Sequence, residues 1–502
     1  MKYLSLASLT CSCMVALFCV AAAIASPAQT YNVLFNFNGA NGRSPFSLTQ
    51  GNDGNLYGVS AGGNSHDAGA VFEFSPTGEF TQLYRFCAKA NCADGSGPGS
   101  LVLGTNGNFY GTTNAGGTGN VNGCGPTNTC GGTFFEITPG GKLTTLYDFC
   151  SSSDPGCANG SNPDSAPVLG HDGKYYGTTA AGGIDNCFGG CGAVYDITTA
   201  GTVNAFYALP GNALGDGGLD GLVLGANGDF YGLQLNNGEP PVPGLVFQLT
   251  PKASLLSVYQ FQGKLDGTDP STLMQGTDGN LYGLANGGVR ARGTFFRVTP
   301  NGEFATLHTF CQQIDCTDGY EPVSVIEGSD GNFYGVTVFG GNRNKVCQPY
   351  LGCGTIFKIT PTGEFTLLYS FCSQTNCADG ADPASLVQTT DGTFYGGTTS
   401  GGPAGQCYLH KGCGVIFSFS AGLAPFVRAI PAFGAAGHAV NILGNNFTGA
   451  TSVTFNGIST TFMVVSDTLV EAQVPSGATT GAIQVTTPSG TLNSNVAFQV
   501  AP

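Results

Sequence analysis

The sequence predicts an all-β protein: a seven-bladed β-propeller of four-stranded blades, closed by the N-terminal strand and followed by an immunoglobulin-like β-sandwich. Three observations carry this. A Tyr-Gly pair recurs at Tyr57, Tyr110, Tyr176, Tyr231, Tyr282, Tyr334 and Tyr395, with separations between 51 and 66 residues. A period of about fifty marks a propeller or an array rather than a solenoid of short turns. Each period holds four strand signals, and the seventh stops one strand short while the chain begins with one strand too many.

The elements follow in order. Residues 1–25 read as a secretory signal: Lys2 gives the positive start, Leu4 to Ala22 is apolar, and Ala23-Ile24-Ala25 fits a small-x-small cleavage site. A retained anchor is the rival reading. No later segment is long and apolar enough to span a bilayer, so no transmembrane segment is expected after cleavage. Residues 31–421 form the propeller. In the second unit "SLVLG" (Ser100–Gly104) meets an Asn106-Gly107 turn, then "FYGTT" (Phe109–Thr113), a longer loop, "GTFFEIT" (Gly132–Thr138), a Pro-Gly-Gly turn and "KLTTLYDF" (Lys142–Phe149). These are four antiparallel strands of one blade. The orphan strand "YNVLFNF" (Tyr31–Phe37) matches the fourth strand "FTQLYRF" (Phe80–Phe86) and should complete the seventh blade, which ends at "GVIFSFS" (Gly414–Ser420). Pairing both open edges locks the ring. Residues 425–502 change to short alternating strands between Gly, Pro and Asn turns, a sandwich pattern.

Two resemblances follow from these residues. The recurring D/N-G-N-[FLY]-Y-G-x-T-x-x-G-G, then G-x-[FIV]-F-x-[IVF]-[TS]-P-x-G-x-[FL]-x-x-L-Y-x-F, resembles the GloVer tandem-repeat family of secreted bacterial proteins. The fourth unit departs: "FYGLQLNNGEPP" (Phe230–Pro241) lacks the glycine doublet and the unit has no cysteine. "NILGNNFTGATSVTFNG" and "SDTLVEAQVPSGATTGAIQVTTPSG" resemble the IPT/TIG immunoglobulin-like domain. The resemblances imply an exported protein of the surface or medium, with the sandwich as a spacer or interaction module. They imply no activity. The chain has no tryptophan, so the Trp-bearing propeller repeats do not fit.

Composition narrows the partners. The formal charge is −15 and only 9 % of residues are charged. An acidic chain lacks the basic face that nucleic acid requires. Three cysteines lie in the signal. The other sixteen form eight close pairs: Cys87/Cys92, Cys124/Cys130, Cys150/Cys157, Cys187/Cys191, Cys311/Cys316, Cys347/Cys353, Cys372/Cys377 and Cys407/Cys413. Paired cysteines in an exported chain read as disulfides. The alternative, thiolate metal sites, needs two such pairs to converge.

Strand order puts the first–second and third–fourth turns on one face. The second–third loops and blade links share the other, and they carry all sixteen cysteines. Function is expected on that long-loop face, because a rigid scaffold presents variable loops there.

Two constellations lie on it. The links carry [D/N]-G-x-x-P-like stretches at Asn41, Asp94, Asn159, Asp216, Asp266, Asp318 and Asp379, with further acids at Asp220, Asp269, Glu321 and Asp382. A ring of carboxylates at Asp94, Asp216, Asp266, Asp318 and Asp379 could hold Ca²⁺. The alternative is that Asp/Asn-Gly makes Asx-type turns before each strand. The second is a basic arc of Arg290, Arg292, Arg343, Lys345, His410 and Lys411, with His66 beside it through ring closure. It could meet an anionic ligand such as an acidic polysaccharide, or be solvated loop charge.

Catalysis has little support. His171 is in a tight turn, His308 in a tyrosine slot and His438 in the sandwich. No nucleophile–base order, H-E-x-x-H or carboxylate pair stands out. The reading is an exported, non-catalytic binding or scaffold protein whose partners are extracellular glycans or envelope proteins. A secreted polysaccharide lyase or hydrolase is the alternative, and a purely structural surface component the third option.

Overall fold

The computed structural model describes residues 29–62, 68–118, 131–151, 157–163, 165–183, 192–208, 219–235, 243–263, 265–287, 292–343, 347, 352–403, 407 and 412–501. The signal segment lies outside them. Seven four-stranded antiparallel sheets make the blades. In the second blade the strands are Ser96–Leu103, Phe109–Ala115, Thr133–Ile137 and Leu143–Asp148, so the first strand begins earlier than its apolar run. The seventh sheet is closed as expected: Thr30–Asn36 pairs antiparallel with Val415–Ser420, Tyr31 opposite Phe419.

Burial grades across each blade. The second strand Leu56–Ser60 is buried throughout, and the fourth, Phe80–Arg85, is partly exposed. A strand covered on both faces needs a continuous apolar run; one at the rim can alternate. Facing blades are joined by stacked rings of their fourth strands. Tyr259 lies on Phe304 (4.0 Å between centroids), His308 on Phe365 (4.4 Å), Tyr369 on Tyr31 (4.0 Å) and Phe35 on Phe80 (4.3 Å). The last two contacts belong to the closing strand. They join the chain's beginning to blade one on one side and blade six on the other.

The repeat's Tyr-Gly pair now has a physical reason. Tyr57 donates its hydroxyl to Asp53, four residues earlier in the turn (2.8 Å), and Asp53 also accepts the Asn55 amide (3.0 Å). Tyr176–Asp172, Tyr282–Asp278 and Tyr334–Asp330 repeat this. The glycine serves packing inside one sheet. Gly335 faces Phe357 across the same sheet, and a Cβ there would lie 2.4 Å from the Phe357 ring. The bare glycine admits a cross-strand phenylalanine within the blade.

The sandwich has two four-stranded sheets, with a short parallel pair of Phe433–Gly434 and Gln499–Val500 beside them. One holds Arg428–Ile430, Ala439–Leu443, Leu469–Gln473 and Phe462–Val464; the other holds Ile458–Ser459, Ser452–Phe455, Ile483–Thr487 and Gly490–Asn493. Val440, Ile442, Phe447, Val453, Phe455, Val470 and Val485 fill the space between them. The sandwich sits on the propeller's tight-turn face. Thr468 Oγ1 donates to the Asn52 carbonyl (2.8 Å), Asn441 to the Thr105 carbonyl (2.9 Å) and Asn445 to Thr390 (3.0 Å). Arg428 donates to the Gln388 carbonyl (2.9 Å), and Phe433 meets the edge of His171 (4.3 Å). Leu443 and Leu469 pack into the same apolar cluster as Tyr57 and Leu103. That face therefore carries the sandwich, and the link loops lie on the other face.

Candidate binding face

Three blade links share one sequence signature: C-x4-C, one residue, then Asp-Gly. They span Cys87–Gly95, Cys311–Gly319 and Cys372–Gly380. Each closes in the same way. The amide of the first cysteine meets the carbonyl of the final glycine (3.1, 3.0 and 3.2 Å). Disulfides Cys87–Cys92, Cys311–Cys316 and Cys372–Cys377 tie the base. Both cysteines have positive φ, and so does the residue before the second one: Asn91 (57°), Asp315 (61°) and Asn376 (57°). Asn and Asp tolerate that region better than most residues.

The aspartate holds the loop from inside. Asp94 accepts the amides of Ala88 (2.9 Å) and Lys89 (3.1 Å) and the Tyr84 hydroxyl (2.7 Å). Asp379 accepts those of Ser373 (2.9 Å) and Gln374 (3.2 Å) and the Tyr369 hydroxyl (2.8 Å). Asp318 accepts Gln312 (3.0 Å) and Gln313 (3.4 Å), with His308 Nε2 at 3.8 Å in the tyrosine's place. Burial holds the His308 imidazole down to about 4, against the pull of Asp318. A cysteine-free link does the same: Asp266 accepts Tyr259 (2.8 Å) and Gln262 (2.6 Å). Asn159 donates to Tyr147 (3.0 Å), and Asn41 accepts the Asn38 amide (2.9 Å).

These bonds bear on the ring of aspartates. Asp94, Asp266, Asp318 and Asp379 are buried, each held at the end of the fourth strand. The carboxylates reach back to amides four to six residues earlier, rather than forward as in the expected Asx-type turn, and so hold the loop behind them. Asp216 lies outside the described residues. Among the described residues, the group of ligand-type side chains that does converge is Cys347, Cys353, Cys372 and Cys377, whose sulfurs lie within 4.8 Å of one another. There the sulfurs are paired as two neighbouring disulfides. Cys150–Cys157 and Cys407–Cys413 also pair locally; Cys124, Cys130, Cys187 and Cys191 lie outside the described residues.

What the three loops expose differs. The tips read Lys89-Ala90-Asn91, Gln313-Ile314-Asp315 and Gln374-Thr375-Asn376, all exposed, with Ile314 86 % accessible. One backbone shape presents three different sets of side chains. The sequence carried this signal as C-x4-C-x-D-G, with the cysteine pair and the aspartate serving one loop.

Of the basic arc, Arg292 and Arg343 are described, and they flank one patch. The Arg292 guanidinium lies over the Tyr320 ring (4.4 Å), and Tyr320 packs on Phe339 (5.2 Å). Arg343 pairs with Asp315 of the middle tip (2.5 Å). Glu321, beside Arg292, has its carboxyl pushed up by burial and partly restored by that guanidinium. Arg290, Lys345, His410, Lys411 and His66 lie outside the described residues.

Comparison with known proteins adds the family. One solved structure shares the fold, and another resembles it more weakly. A catalytically inactive virginiamycin B lyase from Staphylococcus aureus, solved with quinupristin, matches with a TM-score of 0.50 at 15 % identity, over 78 % of this chain and 99 % of that one. The extracellular domain of a candidate hybrid two-component system from B. thetaiotaomicron matches with a TM-score of 0.49 at 10 % identity, over 94 % of this chain and 59 % of that one. No curated protein matches by sequence. The IPT/TIG domain model matches residues 425–500. The model of the Gloeobacter/Verrucomicrobia repeat matches residues 22–217 and 167–417, most of the chain, and the protein belongs to that repeat family.

Proposed function

We propose that this is an exported, non-catalytic binding protein that recognises extracellular glycans through the long-loop face of the propeller, with the sandwich closing the opposite face. The observation that carries this is the set of three matching link loops with unlike exposed tips. A hydroxyl-rich ligand is recognised by fixed amide and carboxylate groups, and the tips offer Asn91, Gln313, Asp315, Gln374 and Asn376 on backbones held by disulfide and aspartate. Groups ordered before binding lose less entropy when a ligand arrives. The Arg292–Tyr320–Phe339 patch and Arg343 add a cationic, partly apolar flank beside the middle tip. The paired cysteines support export, and among the described residues no helix is long and apolar enough to cross a membrane.

A panel of neutral and acidic polysaccharides, scored for retention and for released product, tests this. Retention without release is the expected result. Release of oligosaccharide would favour the lyase or hydrolase reading. Capture of an envelope protein in place of any glycan would replace the ligand class, and neither would leave a structural component.

A further inference from the structure

A cavity of about 400 Å³, open to solvent on one side, lies where the sandwich meets the ends of the propeller's first strands. Its propeller wall is Leu103, Leu169, Leu224 and Gln275, the last first-strand residues of blades two to five. Its sandwich wall includes Arg428 and Phe433. The lining is thus largely aliphatic, with one cation.

That cation has little to neutralise it. Arg428 makes one hydrogen bond, from Nη2 to the Gln388 carbonyl (2.9 Å), and its guanidinium lies 5.6 Å from the centre of the Phe426 ring. Among the described residues no carboxylate pairs with it. Arg428 is partly buried and lines the pocket. Burial alone presses its guanidinium below the usual range. A partly buried charge without a counter-charge is costly, and a bound anion lowers that cost.

We infer that this cavity binds a small organic carboxylate, its charged end on Arg428 and its apolar body against Leu103, Leu169, Leu224 and Phe433. An aliphatic wall offers little to a fully hydrated inorganic ion, whereas an apolar body gains by leaving water. A way in exists at the domain seam. A second cleft, of about 450 Å³, shares Gln275, Phe433, Val496 and Gln499 with the cavity and continues past His171 and Asn227. This site lies on the opposite face from the link loops and does not depend on them.

Calorimetric titration of the full mature chain with benzoate and octanoate, and with chloride and inorganic phosphate, tests the inference. The expected result is saturable binding of at least one organic acid, with chloride and phosphate at least about tenfold weaker. Arg428→Met should weaken the organic acid by about tenfold or more, the scale of a charge-assisted hydrogen bond. Leu224→Phe, which fills the cavity and leaves Arg428 in place, should weaken it too, and it decides the matter if Arg428→Met does not fold. No binding, phosphate as tight as the acids, or either folded variant binding like wild type would overturn it.

Discussion

At the residue scale the link aspartates and their tyrosines act as one device, and His308 is its odd member. Elsewhere a tyrosine hydroxyl donates to the aspartate; in blade five Nε2 of His308 stands 3.8 Å from Asp318. Burial lowers the imidazole from 6.5 to about 4, so the folded protein keeps it neutral where the unfolded chain charges it. A lowered histidine pKa gives stability that is present above 6.5 and declines as the pH falls towards about 4. His308→Tyr removes that loss. Thermal unfolding of both proteins between pH 7 and pH 4 should show the variant gaining up to about 3 kcal/mol at the acid end. A gap that does not change with pH would mean the histidine is not held neutral. Asp379→Ala strips a buried acceptor from two amides and a phenol and should cost about 3 kcal/mol or more by denaturant unfolding. A chelator should leave the melting temperature of wild type unchanged; a clear drop would restore the calcium reading of the same residues. This pairing left a trace in the sequence. Tyr84 and Asp94, His308 and Asp318, Tyr369 and Asp379 are each ten residues apart. What spacing alone leaves undecided is direction: a carboxylate before an inner strand suggests the channel, and only the loop's own amides turn it inward.

At the element scale the blades were legible and their docking was less so. Turn pairs and apolar runs mark the strands, and the detail they leave out is in contacts between strands: Gly335 under Phe357 leaves no pattern beyond a glycine. Gly335→Ala should cost about 1–3 kcal/mol through overpacking; an unchanged midpoint in denaturant would show that the ring can move aside. The closing strand was readable because its partner was missing from the other end of the chain. Removing residues up to Asn38 leaves Val415–Ser420 as an open edge and takes away the Tyr31–Tyr369 and Phe35–Phe80 stacks. The truncated protein should lose about 5 kcal/mol or more and associate through that edge. A monomer of unaltered stability would contradict closure by this strand.

At the scale of the whole molecule the covered face is the feature that strand patterns did not predict. The contacts that place the sandwich join residues far apart in the chain, such as Thr468 with Asn52 and Asn441 with Thr105. A polar side chain reaching a carbonyl in another domain has no periodicity to reveal it. Their effect is to place the sandwich on the tight-turn face, away from the link loops. Each C-x4-C disulfide there is worth roughly 2 kcal/mol against the unfolded chain, and together with the aspartates they fix the tips. On the proposed function, these fixed tips and their arginine flank bind a glycan without cleaving it. The direct measurement is retention on the polysaccharide panel by wild type and by an Ile314→Asp, Arg292→Glu, Arg343→Glu variant of matched stability. The account predicts that wild type is retained with no product released, and that the variant's retention falls at least about tenfold. Equal retention by the two, or no polysaccharide retained by wild type, would contradict it.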